Sequence, residues 1–242
     1  MVRKLLLALL CLPLVALANS GELQLDHANI DAHDAISIQR GARTFVNYCL
    51  NCHSAASMRY NRLMDLGLTE KQIKDNLILT SAKVGDTMIS SIGKKDAKAF
   101  FGVEPPDLSV IARAKGVDYL YTYMRAFYRD ETRPTGWNNL AFPNAGMPHA
   151  LSQLQGTQVL KTEVTEHDGR KEEHRKLELA VPGSLSPMEY DKVTRDLVNY
   201  LAFMAEPEAT KRTQIGVVVL LFLTVLLALT WMLKQAYWKD VH

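Results

Sequence analysis

Cys49-Leu50-Asn51-Cys52-His53 is the stretch on which the reading of this chain turns. Two cysteines three residues apart lie on one face of a helical turn, so both thiols can reach the two vinyl groups along one porphyrin edge. The histidine that follows is then set beneath the iron, and C-x-x-C-H is the spacing of covalent haem attachment. Two other uses of such a pair fit poorly. A zinc site needs two more ligands at matching spacing, and the only other cysteine is Cys11. A thioredoxin-type pair follows a strand in a βαβ unit, whereas Ile36 to Tyr48 reads as an amphipathic helix with Gly41 and Phe45 on one face.

Outward from the motif, the two ends of the chain make topological statements. Met1 to Ala18 has Arg3 and Lys4, an apolar run from Leu5 to Leu17 and the small-residue ending Ala16-Leu17-Ala18, the pattern of a secretory signal peptide cut after Ala18. Cys11 would leave with it, so the two cysteines of the mature chain are both committed to haem. At the other end, Ile215 to Leu233 is uncharged and, as a helix, about 28 Å long, close to the hydrocarbon thickness of a bilayer. Basic residues flank it almost evenly, with Lys211 and Arg212 before and Lys234 and Lys239 after. Orientation therefore rests on the cleaved signal, which leaves the haem domain in the periplasm and the tail in the cytoplasm. The predicted organisation is a signal peptide over 1–18, a periplasmic haem domain over 19–209, a membrane anchor over 210–236 and a cytoplasmic tail over 237–242.

The span between signal and anchor is long for a minimal single-haem domain, so insertions are expected. It carries 22 Lys and Arg against 25 Asp and Glu between Asn19 and Thr210, too mild a balance to argue nucleic-acid binding. The periodicity predicts helices over about 34–50, 69–79, 107–113, 116–128 and 187–205, with Asp107 as an N-cap. One hairpin is expected, from Thr157 to Leu179, forming an exposed, highly charged flap. Ser186-Pro187-Met188-Glu189 has the elements of a capping box. Val193, Leu197, Leu201 and Met204 then form an apolar face suited to the helix that carries Gly41 and Phe45.

A six-coordinate haem needs a second axial ligand. Met124, Met188 and Met204 fall on predicted helices as packing residues, Met232 lies in the anchor, and Met58 follows the motif too closely to cross to the opposite face. Met147 stands apart in Ala141-Phe142-Pro143-Asn144-Ala145-Gly146-Met147-Pro148, whose prolines and glycine forbid a regular helix and hold a thioether on an ordered loop. His149 is the next candidate, and an open position the third. Tyr119 and Tyr123, four apart on a predicted helix, read as core.

In order along the chain, Gln39-Arg40-Gly41-Ala42-Arg43, the C-x-x-C-H motif with Ser54, Pro105-Pro106-Asp107-Leu108-Ser109, Arg113-Ala114, Asp118-Tyr119 and Pro134-Thr135-Gly136 are followed by the Phe142 to Met147 loop and Ala205-Glu206-Pro207 before a single anchor. This ordered set resembles the cytochrome c1 family over nearly the whole mature chain. The resemblance implies a mainly α, cytochrome c-like haem domain with insertions plus one C-terminal transmembrane helix. It implies one covalent haem c held by Cys49 and Cys52, with His53 and Met147 as iron ligands. It further implies Arg113 as partner of a haem propionate and Pro105 and Pro106 as part of the pocket wall. The segment from about 161 to 176 matches no family pattern.

A histidine–methionine pair saturates the iron, which leaves one-electron transfer and no substrate chemistry there. By the resemblance, the chain is an electron relay in a quinol:cytochrome c reductase of the bacterial inner membrane. Its partners would be a cytochrome b subunit, a Rieske iron-sulfur protein as donor, cytochrome c as acceptor, and membrane lipid. Two alternatives remain at this point. A free-standing anchored shuttle needs no large insertions, and a haem peroxidase needs an open sixth position and usually a second haem motif.

Overall fold

The computed structural model describes residues 24–167 and 170–239, so the expected signal segment at 1–18 lies outside the described residues. In chain order the elements are α1 (Ala35–Tyr48), β1 (Ala55–Arg59), a 3-10 helix (Tyr60–Leu66), α2 (Glu70–Asn76), β2 (Thr87–Met88), α3 (Lys94–Phe101), α4 (Ile111–Lys115) and α5 (Val117–Arg125). There follow β3 (Phe127–Arg129), β4 (Trp137–Asn139), α6 (Ser152–Gln155), β5 (Gly156–His167), β6 (Arg170–Pro182), α7 (Pro187–Ala205) and α8 (Ala209–Tyr237). The protein is mainly helical, and its strands form three separate antiparallel pairs, β1 with β2, β3 with β4 and β5 with β6.

The core is built where α1 crosses α7. Asp34 caps α1 by accepting the Ser37 N–H at 2.9 Å. The stripe Ile38, Ala42, Phe45 and Val46 is buried against Leu197, Val198, Tyr200 and Leu201 of α7. The Phe45 and Tyr200 rings meet 5.4 Å apart at a tilt of 52°. At the crossing itself a side chain has no room: a Cβ on Gly41 would lie 1.9 Å from the Asp196 carbonyl oxygen. Asp196, 4 % exposed, accepts from Ser37 Oγ at 2.6 Å and from Arg40 Nε and Nη2 at 2.6 and 3.0 Å, so the approach of the two backbones is locked by a charged fork. The capping box at the start of α7 forms as its spacing predicts, with the Ser186 N–H donating to Glu189 Oε2 at 2.9 Å. Farther along the chain Tyr190 Oη donates to the Met124 carbonyl at 2.8 Å, which ties α7 to α5.

Several boundaries differ from the periodic reading. The helix expected over 107–113 starts only at Ile111, because Asp107 is spent on a turn: its Oδ1 accepts the Ser109 N–H and its Oδ2 the Ala56 N–H, both at 2.8 Å. Asp107 is therefore a brace between the 105–110 segment and β1 rather than a helix cap. The helix expected to run to 128 ends at Arg125, and Phe127–Arg129 pairs instead with Trp137–Asn139. The short elements α3, α6, β1 to β4 and the 3-10 helix carry too few residues to show a period. Met188, expected to pack, is 82 % exposed on the first turn of α7. The charged hairpin forms and is longer than expected, from Gly156 to Pro182. Its base needs Gly156, which has φ +96° and would place a Cβ 2.2 Å from the Val181 carbonyl oxygen.

α8 is long and apolar enough to cross a membrane, and its apolar window is unburied by the rest of the described residues.

Gly41→Ala should lower stability by about 3 kcal/mol, since neither backbone can retreat without breaking the Asp196 fork. Gly85→Ala, where a Cβ meets nothing within 4 Å, serves as the control, and thermal unfolding of the two variants reads the difference.

Candidate functional site

The last turn of α1 runs directly into the two thiols. Cys49 closes the helix, donating its N–H to the Phe45 carbonyl at 2.8 Å, and the N–H groups of Cys52 and His53 both donate to the Cys49 carbonyl, at 3.1 and 2.8 Å. The motif is thus wound as one turn, and neither cysteine is in a disulfide. Burial pushes the Cys49 thiol up to about 12 and raises that of Cys52 as well, so both are protonated at neutral pH.

His53 is 9 % exposed, and its Nδ1 lies 2.8 Å from the Pro106 carbonyl oxygen. A carbonyl can only accept, so Nδ1 carries the proton and Nε2 keeps its lone pair. Burial lowers the imidazole's pKa, more than the Pro106 bond and the charge of Asp107 raise it. The ring is thereby held neutral, in one tautomer and one orientation.

His53 faces a small, mostly apolar cavity that opens in part to solvent. Tyr48 and Cys52 line it beside His53, Phe101, Val103, Pro105 and Pro106 form one wall, and Met147, Pro148 and Ala150 come from the distant loop. Of the residues singled out in the sequence, the cavity brings together Cys52, His53, Pro105, Pro106 and Met147. Cys49 is one helical turn behind Cys52. Arg113 is exposed and lines a different cavity, between α4 and the start of α8, with Ile30, Leu66, Val117 and Lys211.

The loop that delivers Met147 is hung on two asparagines. Asn139, fully buried, accepts the N–H groups of Ala141 and Phe142 at 2.9 and 3.2 Å and donates its Nδ2 to the Tyr123 carbonyl at 2.8 Å. Asn138 accepts the Asn144 N–H at 2.8 Å and donates to Asp130 at 2.8 Å. His149 is not at the cavity: its ring lies flat on Phe127 at 4.9 Å and edge-on to Trp137 at 5.1 Å, 3 % exposed, with burial lowering its pKa to about 4. It is a wedge that holds the far end of the loop.

Two roles were not legible in the sequence. Nothing in the spacing marks Asn138 and Asn139 as the loop's frame beyond their being turn-prone residues. Tyr123, expected to be core packing, places its hydroxyl 3.5 Å from the Met147 sulfur, and burial pushes that hydroxyl's pKa up to about 12.

The family model described as the Cytochrome C1 family matches residues 26–181 and 184–241. This chain belongs to that family. A protein of Nitrosomonas europaea named ammonia monooxygenase gamma subunit is 48% identical, with 100% of this chain and 99% of the relative covered. Cytochrome c1 of Allochromatium vinosum is 46% identical over 99% of this chain and all of its own length. A mitochondrial cytochrome c1 heme protein of Neurospora crassa is 29% identical, with 85% of this chain and 62% of the relative covered.

Membership of the cytochrome c1 family implies covalently bound c-type haem, and the site suits it. Two thiols lie on one turn, a neutral imidazole keeps a lone pair at Nε2, and a thioether borders the same apolar space, groups whose chemistry fits a c-type haem.

Asn139→Ala should cost roughly 2 kcal/mol, because the part-buried N–H groups of Ala141 and Phe142 lose their shared acceptor while the Tyr123 carbonyl keeps only the Ala126 N–H. Limited proteolysis should then cut within 140–148 while β5 and β6 stay intact.

Proposed function

We propose that this chain is the electron-transfer haem subunit of a quinol:cytochrome c reductase, taking electrons from a Rieske iron-sulfur protein and passing them to a cytochrome c. The reading is carried by one observation: His53 and Met147, 94 positions apart, border one apolar cavity at the end of the helix that bears the two thiols. Cys49 and Cys52 would form the thioether links, and His53 Nε2 and the Met147 sulfur would hold the iron. When bound, the haem supplies a centre that gains and loses one electron, at a potential that a thioether ligand raises.

The protein's own part is to fix the donors. Pro106 orients the imidazole and raises its basicity through the Nδ1–H bond. The asparagine frame brings the thioether to the cavity, and Phe101, Val103, Pro105 and Pro106 give it an apolar wall. With two protein ligands in place, substrate has no position at the metal, so the chain relays electrons and its complex does the quinol chemistry. Arg113, exposed beside the other cavity, is the residue the family resemblance pairs with a haem propionate. The membrane-length α8 supports a single-pass anchor, with the haem domain on the periplasmic side and a cytochrome b subunit and lipid as its membrane neighbours.

Mild detergent extraction from native membranes tests the assignment. Co-purification of b-type haem and a Rieske iron-sulfur signal with the covalent haem is the expected result. A redox-active chain that comes out alone would replace this reading with an anchored shuttle, and one that travels with monooxygenase activity would favour the role named in the Nitrosomonas relative. Met147→Leu should leave the haem covalently attached and lower its reduction potential substantially; an unchanged potential would remove Met147 as the ligand.

A further inference from the structure

Tyr123 Oη is 3.5 Å from the sulfur of Met147, a donor against a weak acceptor in a half-buried setting. The tyrosine is restrained on three sides. Its ring stacks on Tyr119 at 6.1 Å and 24°, meets Phe127 edge-on at 5.2 Å, and its carbonyl is held by Asn139 Nδ2. That same asparagine holds the loop that carries Met147, so donor and acceptor are registered against each other by one buried amide.

We propose that the Tyr123 hydroxyl is a positioning and tuning group for the Met147 thioether, donating a hydrogen bond that weakens the sulfur as an electron donor and thereby raises the reduction potential of the iron it binds. The proposal rests on the reading of Met147 as an iron ligand. A thioether sulfur has two lone pairs. One serves the metal, and the other faces the hydroxyl. A hydrogen bond drains density from sulfur, which stabilises the electron-poor ferric ion less and so favours the ferrous one. The bond also fixes which way the Met147 side chain turns, and so opposes its exchange for another ligand.

The test is Tyr123→Phe in the full chain, carried in its native membrane complex, with Tyr119→Phe as the control that removes a hydroxyl from the same stack but not from the sulfur. Potentiometric titration is read together with the far-red charge-transfer band of a ferric iron–thioether bond. Tyr123→Phe should keep covalent haem and the band while the ferrous-to-ferric ratio at a fixed ambient potential falls roughly three- to tenfold, the range one net hydrogen bond commands. Tyr119→Phe should leave that ratio unchanged. Should Tyr123→Phe fail to assemble, fluorotyrosine placed at position 123, a stronger donor of nearly the same shape, should raise the ratio instead. An intact band with an unchanged ratio, in Tyr123→Phe or in the fluorotyrosine variant, overturns the role of Tyr123 alone. Absence of the band from the unaltered protein overturns the Met147 reading, and this proposal with it.

Discussion

The contact on which the rest of the molecule depends is the crossing of α1 and α7 at Gly41. It brings two helix backbones to a separation that only a missing side chain allows, and Asp196 secures it by accepting from Ser37 and Arg40. A buried carboxylate costs free energy unless its lone pairs are matched, and three donors match this one. The crossing sets the line of α1, and α1 ends in the turn that presents Cys49, Cys52 and His53. It also sets α7, which holds α5 through Tyr190 and the β2 residue Met88 through Tyr200 Oη at 3.3 Å. The helices around the site are therefore placed by one hub rather than by separate contacts.

The site then divides into two halves of different construction. The thiol–imidazole half is a continuation of α1 and needs little beyond the Pro106 carbonyl to finish it. The thioether half is irregular backbone, in which the Asn138 and Asn139 side chains replace regular hydrogen bonding and the His149 ring packs between Phe127 and Trp137. A loop built this way keeps its backbone donors matched without a helix.

What could be read from sequence follows the range of the forces involved. C-x-x-C-H and the capping box at Ser186 are local patterns that appear in the structure where the spacing puts them, and of the predicted α7 face Leu197, Leu201 and Met204 are buried while Val193 is only half-buried. Gly41 and Phe45 were legible as one face, though not the depth of the crossing at Gly41. The errors arose where a side chain's partner is distant in sequence: Asp107 bonds to Ala56, Tyr123 to Met147 and Asn139 to Tyr123. Asp107 before a helix looks like a cap because local rules see only its own neighbours. Arg113, which the family resemblance pairs with a haem propionate, stands exposed beside a second cavity.

The central claim is that Cys49 and Cys52 carry a covalent haem above His53. The most direct measurement is the mass of the protein chain purified from its native membrane, denatured and extracted with acidified organic solvent. The account predicts that the chain retains the mass of one haem and that the retained haem shows the spectrum of two thioether links. A bare chain mass, with the haem in the organic phase, would contradict it.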